Sequence, residues 1–252
     1  FEEAIKCYEK ILKIEPNSSI AYYNIAIMYD SLKLPENAIK NYKKAIDNKP
    51  DYADAYNNMG SANIELGYID EAIDAYNKAI ELIPNHAYAH NNLGNIYMMK
   101  RLYDNAIESF KKAIFFHQKY ADAHNNLGDA YYFMNKITKA YQSYERALSI
   151  NPYHVKALIN IGILHHENYE YKKAIVAFQK ALKIEPKNDY ATMNKLFNQR
   201  SIYEWEESYK NDLKISQLGI NTTKTSPLML LALEDAPERH RIRAANFTKE
   251  LS

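Results

Sequence analysis

The chain has 252 residues, with 32 basic and 31 acidic side chains giving a net charge of +1. That balance excludes nucleic-acid or anionic-membrane binding driven by bulk electrostatics, and neither partner is expected. The single cysteine, Cys7, excludes an internal disulfide framework and fits a reducing compartment. An intracellular, cytoplasmic location is expected on that ground, and no apolar run is long enough to span a bilayer.

Residues 1–18 read as the second helix of an incomplete helix pair. Blocks then begin at Ser19, Ala53, Ala87, Ala121 and Val155, with a degenerate sixth at Asp189, each 34 residues after the last. Inside the blocks, small residues recur at Ala38, Ala72, Ala106, Ala140 and Ala174, and again at Ala45, Ala79, Ala113, Ala147 and Ala181. Between the two series stand Tyr42, Tyr76, Phe110, Tyr144 and Phe178, rings sized to fill the groove that alanines leave open. Pro50, Pro84, Pro152 and Pro186 mark the ends of the second helices. Gly60, Gly94, Gly128 and Gly162 recur inside the first helices, where a glycine is costly and implies a close approach by another element.

These residues together resemble the tetratricopeptide repeat, a pair of antiparallel helices that buries its apolar faces only by stacking on the next pair. The resemblance covers residues 1–198, with Asn63, His165 and Gln118 as local departures. It implies an all-α, right-handed superhelical solenoid without a sheet. A half repeat at 1–18 precedes full repeats at 19–52, 53–86, 87–120, 121–154 and 155–188, and a degenerate repeat starts at 189.

From residue 199 the period breaks. Ile202, Trp205, Tyr209 and Leu213 fall at helical spacing and Gly219 ends the run. Ser226-Pro227 opens a short apolar helix over 228–233, and Asp235 with Glu238 opens a last one through Phe247. Residues 199–252 are thus expected to form a helical extension, and the chain reads as cut at both ends. Asp189 to Asn194, Tyr203-Glu204-Trp205, Ser226 to Leu233 and Ala236 to Ala245 resemble the junction of repeats and catalytic region in the O-linked N-acetylglucosamine transferases, glycosyltransferase family 41, which include SPINDLY-like proteins. The resemblance implies a parent enzyme that uses a nucleotide sugar, UDP-GlcNAc, and repeats that recruit protein substrates. No strand followed by a glycine-rich phosphate loop is present, so the chain itself is expected to have no catalytic, cofactor-binding or metal-binding residues.

The candidate site is a row of amides. Asn24, Asn58, Asn92, Asn126, Asn160 and Asn194 share one position of the first helix, and Asn57, Asn91 and Asn125 double the density in the middle blocks. An amide offers the donors and acceptor that match a peptide unit. First helices packed roughly 8–10 Å apart would set one rung about every third residue of an extended peptide. The row is expected to line a concave groove that holds peptides of unrelated sequence, as in the transferase family that the chain resembles. The competing reading makes the asparagines struts between repeats.

Asp54, Asp122, Asp129 and Glu65 belong to the same face, either selecting basic or hydroxyl-bearing substrates or simply solvated. His90 and His124 read as core or groove filling, and His165-His166 lacks the spacing of a helical zinc site. The expected partner is therefore an extended segment of a substrate protein, with homodimerisation through an open solenoid end as a further possibility. A scaffold with no enzyme attached is the alternative function.

Overall fold

A computed structural model describes residues 1–202. The expectations placed on Trp205, on 228–233 and on the last helix through Phe247 lie outside the described residues. Among the described residues there are twelve α-helices and no strand: α1 (Glu2–Ile14), α2 (Ser19–Ser31), α3 (Pro35–Asn48), α4 (Ala53–Glu65), α5 (Ile69–Leu82), α6 (Ala87–Met99), α7 (Tyr103–Phe116), α8 (Ala121–Phe133), α9 (Ile137–Ile150), α10 (Val155–Glu167), α11 (Tyr171–Ile184) and α12 (Asp189–Ser201). None is long and apolar enough to cross a membrane.

The described residues divide into two compact units, 1–135 and 136–202. In the first, α1 to α8 pack in chain order, each helix on the next; in the second, α9 to α12 do the same. Beyond these neighbours, first helices of successive repeats touch, α4 with α6, α6 with α8 and α10 with α12. This pattern is that of a stacked array, in which each repeat is covered only by its neighbours.

The repeat is built around one ring. Tyr42, Tyr76, Phe110, Tyr144 and Phe178 are no more than 2% exposed, and both alanine series flanking them are fully buried. A Cβ added at Gly60, Gly94 or Gly162 would stand 2.7, 2.6 or 2.7 Å from the ring of Tyr76, Phe110 or Phe178. The glycine is therefore what lets the first helix lie on the ring of the second. In the first repeat Ala26 holds this register and packs in the same cluster as Tyr42.

The turn between the paired helices is fixed by a residue with positive φ, at Lys33 (60°), Gly67 (79°), Arg101 (57°), Asn135 (55°) and Tyr169 (59°). Around it the chain closes with bonds from Leu34, Tyr68, Leu102 and Glu170 N–H to the carbonyls of Tyr29, Asn63, Tyr97 and His165, the Schellman geometry that ends a helix. Only one of the five is glycine, so the other repeats accept a left-handed L residue to keep the turn.

At the other end of the pair, α7 stops at Phe116 in the same register as its counterparts although Gln118 replaces proline. Proline is thus dispensable to that stop. His86 and His154 cap α6 and α10, their Nδ1 atoms accepting from the Ala89 and Ala157 N–H at 3.2 and 3.1 Å; Asn188 caps α12 through its Oδ1.

Two substitutions separate these constraints. Gly67 has nothing within 4 Å of an added Cβ, so Gly67→Ala tests backbone conformation alone and should cost about 1 kcal/mol in urea unfolding. Arg101→Gly should raise the urea midpoint. Gly94→Ala should cost roughly 1–3 kcal/mol despite alanine's better helix propensity, because the Phe110 ring must move. Coupling between Gly94→Ala and Phe110→Leu in a double-mutant cycle would confirm the cause; additive costs would refute it.

Candidate functional site

Spacings of four, three and four residues put one stripe of each first helix on a common face. On α4 it holds Asp54, Asn58, Ser61 and Glu65; on α6 Tyr88, Asn92, Asn95 and Met99; on α8 Asp122, Asn126, Asp129 and Phe133. All twelve of these residues are exposed or half-buried. One residue along the helix turns a side chain by about 100°, and there Asn57, Asn91 and Asn125 are only 7%, 4% and 1% exposed.

The two sets of amides bond across the repeats. Asn58 Nδ2 donates to the Tyr23 hydroxyl at 3.0 Å, Asn92 Nδ2 to Asn57 Oδ1 at 3.1 Å, and Asn126 Nδ2 to Asn91 Oδ1 at 3.0 Å and to Asn95 Oδ1 at 3.1 Å. Within a repeat, Asn57 Nδ2 donates to Asn58 Oδ1 at 3.0 Å. Asn125 Nδ2 reaches Asn126 Oδ1 at 3.4 Å and Asp129 Oδ2 at 3.2 Å. In the first unit α4, α6 and α8 thus each send an amide N–H back to the repeat before. Asn57 and Asn91, which would otherwise bury an unpaired carbonyl, are satisfied by that bond.

This corrects the expectation that Asn57, Asn91 and Asn125 line the groove beside their neighbours. Asn57 and Asn91 lie between repeats, and Asn125 is buried on α8 beside Asn126 and Asp129. Asn194 is likewise 5% exposed, with Nδ2 donating to the Tyr190 carbonyl at 2.9 Å. Asn24 on α2 and Asn160 on α10 are half-buried; the former belongs to the first unit and the latter, like Asn194, to the second. Tyr23 and Asn95 were missed as members of the network, yet both were within reach of the period. Tyr23 falls 34 residues before Asn57, and Asn95 falls 34 before Asp129.

Electrostatically the stripe is acidic. The α2, α4, α6 and α8 segments contain no lysine or arginine, whereas Asp54, Asp122 and Asp129 lie on the stripe, as does Glu65, which is paired with Lys33 at 3.2 Å. Burial, and after it the nearby Asp54 charge, pushes the Tyr23 hydroxyl above its ordinary range, so it stays protonated beside Asn58. His86 Nε2 lies 3.2 Å from Asp54 Oδ1. With His86 Nδ1 accepting from the α6 backbone, Nε2 carries the proton and donates to the carboxylate. His90 is buried, stacked on Phe116 at 5.6 Å, and gives its Nε2 proton to the Pro84 carbonyl at 2.9 Å. His124 Nε2 makes the corresponding bond to the Gln118 carbonyl at 3.2 Å. In the second unit His165 pairs with Glu170 and His166 with Asn198.

Sequence comparison agrees with this architecture. Family profiles described as Tetratricopeptide repeat match residues 7–40, 87–120, 121–154 and 155–188, and one described as TPR repeat matches 36–67 and 61–100. This chain is a tetratricopeptide-repeat protein. No curated protein matches it.

Among solved structures, this tetratricopeptide-repeat chain is similar to PilF of Pseudomonas aeruginosa, with a TM-score of 0.75 and 18% identity over 85% of this chain and 96% of that one. It is also similar to MamA, with a TM-score of 0.55 and 29% identity over 65% of this chain and 95% of that one. YrrB, described as a TPR protein with an unusual peptide-binding site, shares the fold at a TM-score of 0.55 and 21% identity, over 75% of this chain and 97% of that one.

The buried His90 makes a pH test of the packing. Burial holds its pKa below the ordinary 6.5, the bond to Pro84 opposing that shift only in part. The fold therefore favours neutral His90, and the unfolded chain takes up its proton first as pH falls. The stability that depends on neutral His90 is complete above 6.5 and is lost as pH drops below it toward the lowered folded value. Urea unfolding of wild type and His90→Gln should show the wild-type advantage constant above about pH 6.5 and shrinking as pH falls below it. A constant difference would contradict it.

Proposed function

We propose that the first unit captures extended polypeptide segments by their main chain. The observation that carries this reading is the row of Asn58, Asn92 and Asn126, each half-exposed and each oriented by a bond to the preceding repeat. Asn92 uses one of its two amide protons in that bond, and the carbonyls in the row have lone pairs to spare. A pre-oriented amide loses less entropy on binding than a free one, which favours a weak but general grip on backbone.

The struts and the ladder are then one device, because the bond that ties the repeats also aims the outward half of the amide. In the transferase family that residues 189–252 resemble, such capture brings substrate proteins to a nucleotide-sugar-dependent catalytic region. That setting rests on the sequence resemblance alone. A scaffold without an enzyme uses the same surface in the same way.

The test is the pair Asn92→Ala and Asn126→Ala, read twice. Because these side chains satisfy the buried carbonyls of Asn57 and Asn91, the double variant should lose about 1–3 kcal/mol of stability per orphaned group. The folded fraction should bind two extended peptides of unrelated sequence roughly tenfold more weakly, and by the same factor for both. Unchanged binding by the folded fraction would leave the asparagines as struts only.

A further inference from the structure

One turn before each amide of the row, the same register position holds Asp54 on α4, Tyr88 on α6 and Asp122 on α8. An aromatic ring is thereby flanked, one repeat to either side, by a carboxylate. Tyr88 is 51% exposed. Its ring stands across those of His86 (6.3 Å, 77°), His117 (6.1 Å, 73°) and Tyr120 (5.1 Å, 64°), and His117 stacks on Tyr120 at 5.4 Å.

These contacts hold the ring in place while half of it faces solvent. The Asp54 carboxylate is fixed at 3.2 Å from His86, and Asp122 is close enough to Tyr120 to add to the effect of burial in raising the pKa of its hydroxyl.

An aromatic face attracts a cation, and carboxylates nearby strengthen the attraction. The first helices of this unit supply no lysine or arginine of their own to occupy such a place. A planar guanidinium can lie on a ring and bond a carboxylate at the same time, which an ammonium does less well.

We propose that Tyr88, with Asp54 and Asp122, seats an arginine side chain of the bound segment, so that peptide capture favours arginine-bearing segments over neutral ones. This rests on the main-chain capture described above, and adds side-chain selection to it. Arginine near Asn92 in an extended peptide would point one side chain toward Tyr88 while its backbone meets the amides.

The experiment compares two peptides of otherwise uncharged residues, one with a central arginine and one with citrulline, its neutral isostere, by fluorescence anisotropy. The arginine peptide should bind roughly three- to tenfold more tightly. Tyr88→Leu should abolish the difference and Tyr88→Phe should keep it. Asp122→Asn should reduce it, as should added salt. Equal affinity for both peptides, or a preference unaffected by Tyr88→Leu, would overturn the proposal.

If neither peptide binds, main-chain capture fails, and the seat is then decided by titrating N-acetyl-arginine methylamide and its citrulline analogue against ring-labelled tyrosine. Shifts of the Tyr88 ring with arginine alone support the seat. No shift, or the same shift with both, overturns it.

Discussion

The close seat of a first-helix glycine on a second-helix ring is the constraint from which the rest follows. With Cβ absent at Gly60, Gly94 and Gly162, the rings of Tyr76, Phe110 and Phe178 lie almost against the backbone, and alanines on both sides of each ring are fully buried. That contact fixes how each helix pair closes. Fixed pairs present the same side-chain positions at the same depth in repeat after repeat, and a hydrogen bond from Asn92 to Asn57 can therefore recur from Asn126 to Asn91. Repetition of a precise contact converts a sequence period into a chemical row.

The amides resolve a choice that looks exclusive in one dimension. As struts they would be buried, and as ligands they would be exposed. The structure divides the work between adjacent residues: Asn57 and Asn91 are buried acceptors, and Asn92 and Asn126 are half-exposed donors to them. Removal of a half-exposed amide therefore disturbs both stability and surface, and neither measurement alone identifies its role. The acidic residues around the row add a second property, since every first helix of this unit lacks lysine and arginine while the second helices α3, α5, α7 carry Lys43, Lys78 and Lys111.

Much of the fold was legible because the repeat carries its own alignment. Comparing blocks within one chain exposes the alanines, rings and glycines by position, and the helix pairs follow from their spacing. The turn was less legible. Lys33, Arg101 and Tyr169 adopt the left-handed conformation, yet only Gly67 and Asn135 among the five turn residues favour it; at the other three tertiary packing sets the turn and local preference yields. The depth of Asn57, Asn91 and Asn125 was missed for a different reason. Adjacent letters look alike in sequence, but Asn57 shares its helix face with Ala53 and Gly60, both buried, and helical arithmetic places it inward. The aromatic group around Tyr88 was not legible from the period: His86 and Tyr120 share a register position 34 residues apart, but Tyr88 stands where the neighbouring blocks carry Asp54 and Asp122, and His117 where the block before carries Ile83, so no repeated ring marked the group.

The central claim is that half-exposed amides of the first unit hold the main chain of an extended peptide. Its most direct measurement is an ester scan, in which successive amide bonds of one bound peptide are replaced by esters and each affinity is determined. Esters remove a backbone N–H and weaken the carbonyl while leaving every side chain in place. The account predicts losses that recur about every third residue, the spacing at which the peptide would meet successive amides, and that vanish in the Asn92→Ala, Asn126→Ala protein. Uniform affinity across the scan, or losses that persist undiminished in that variant, would contradict it.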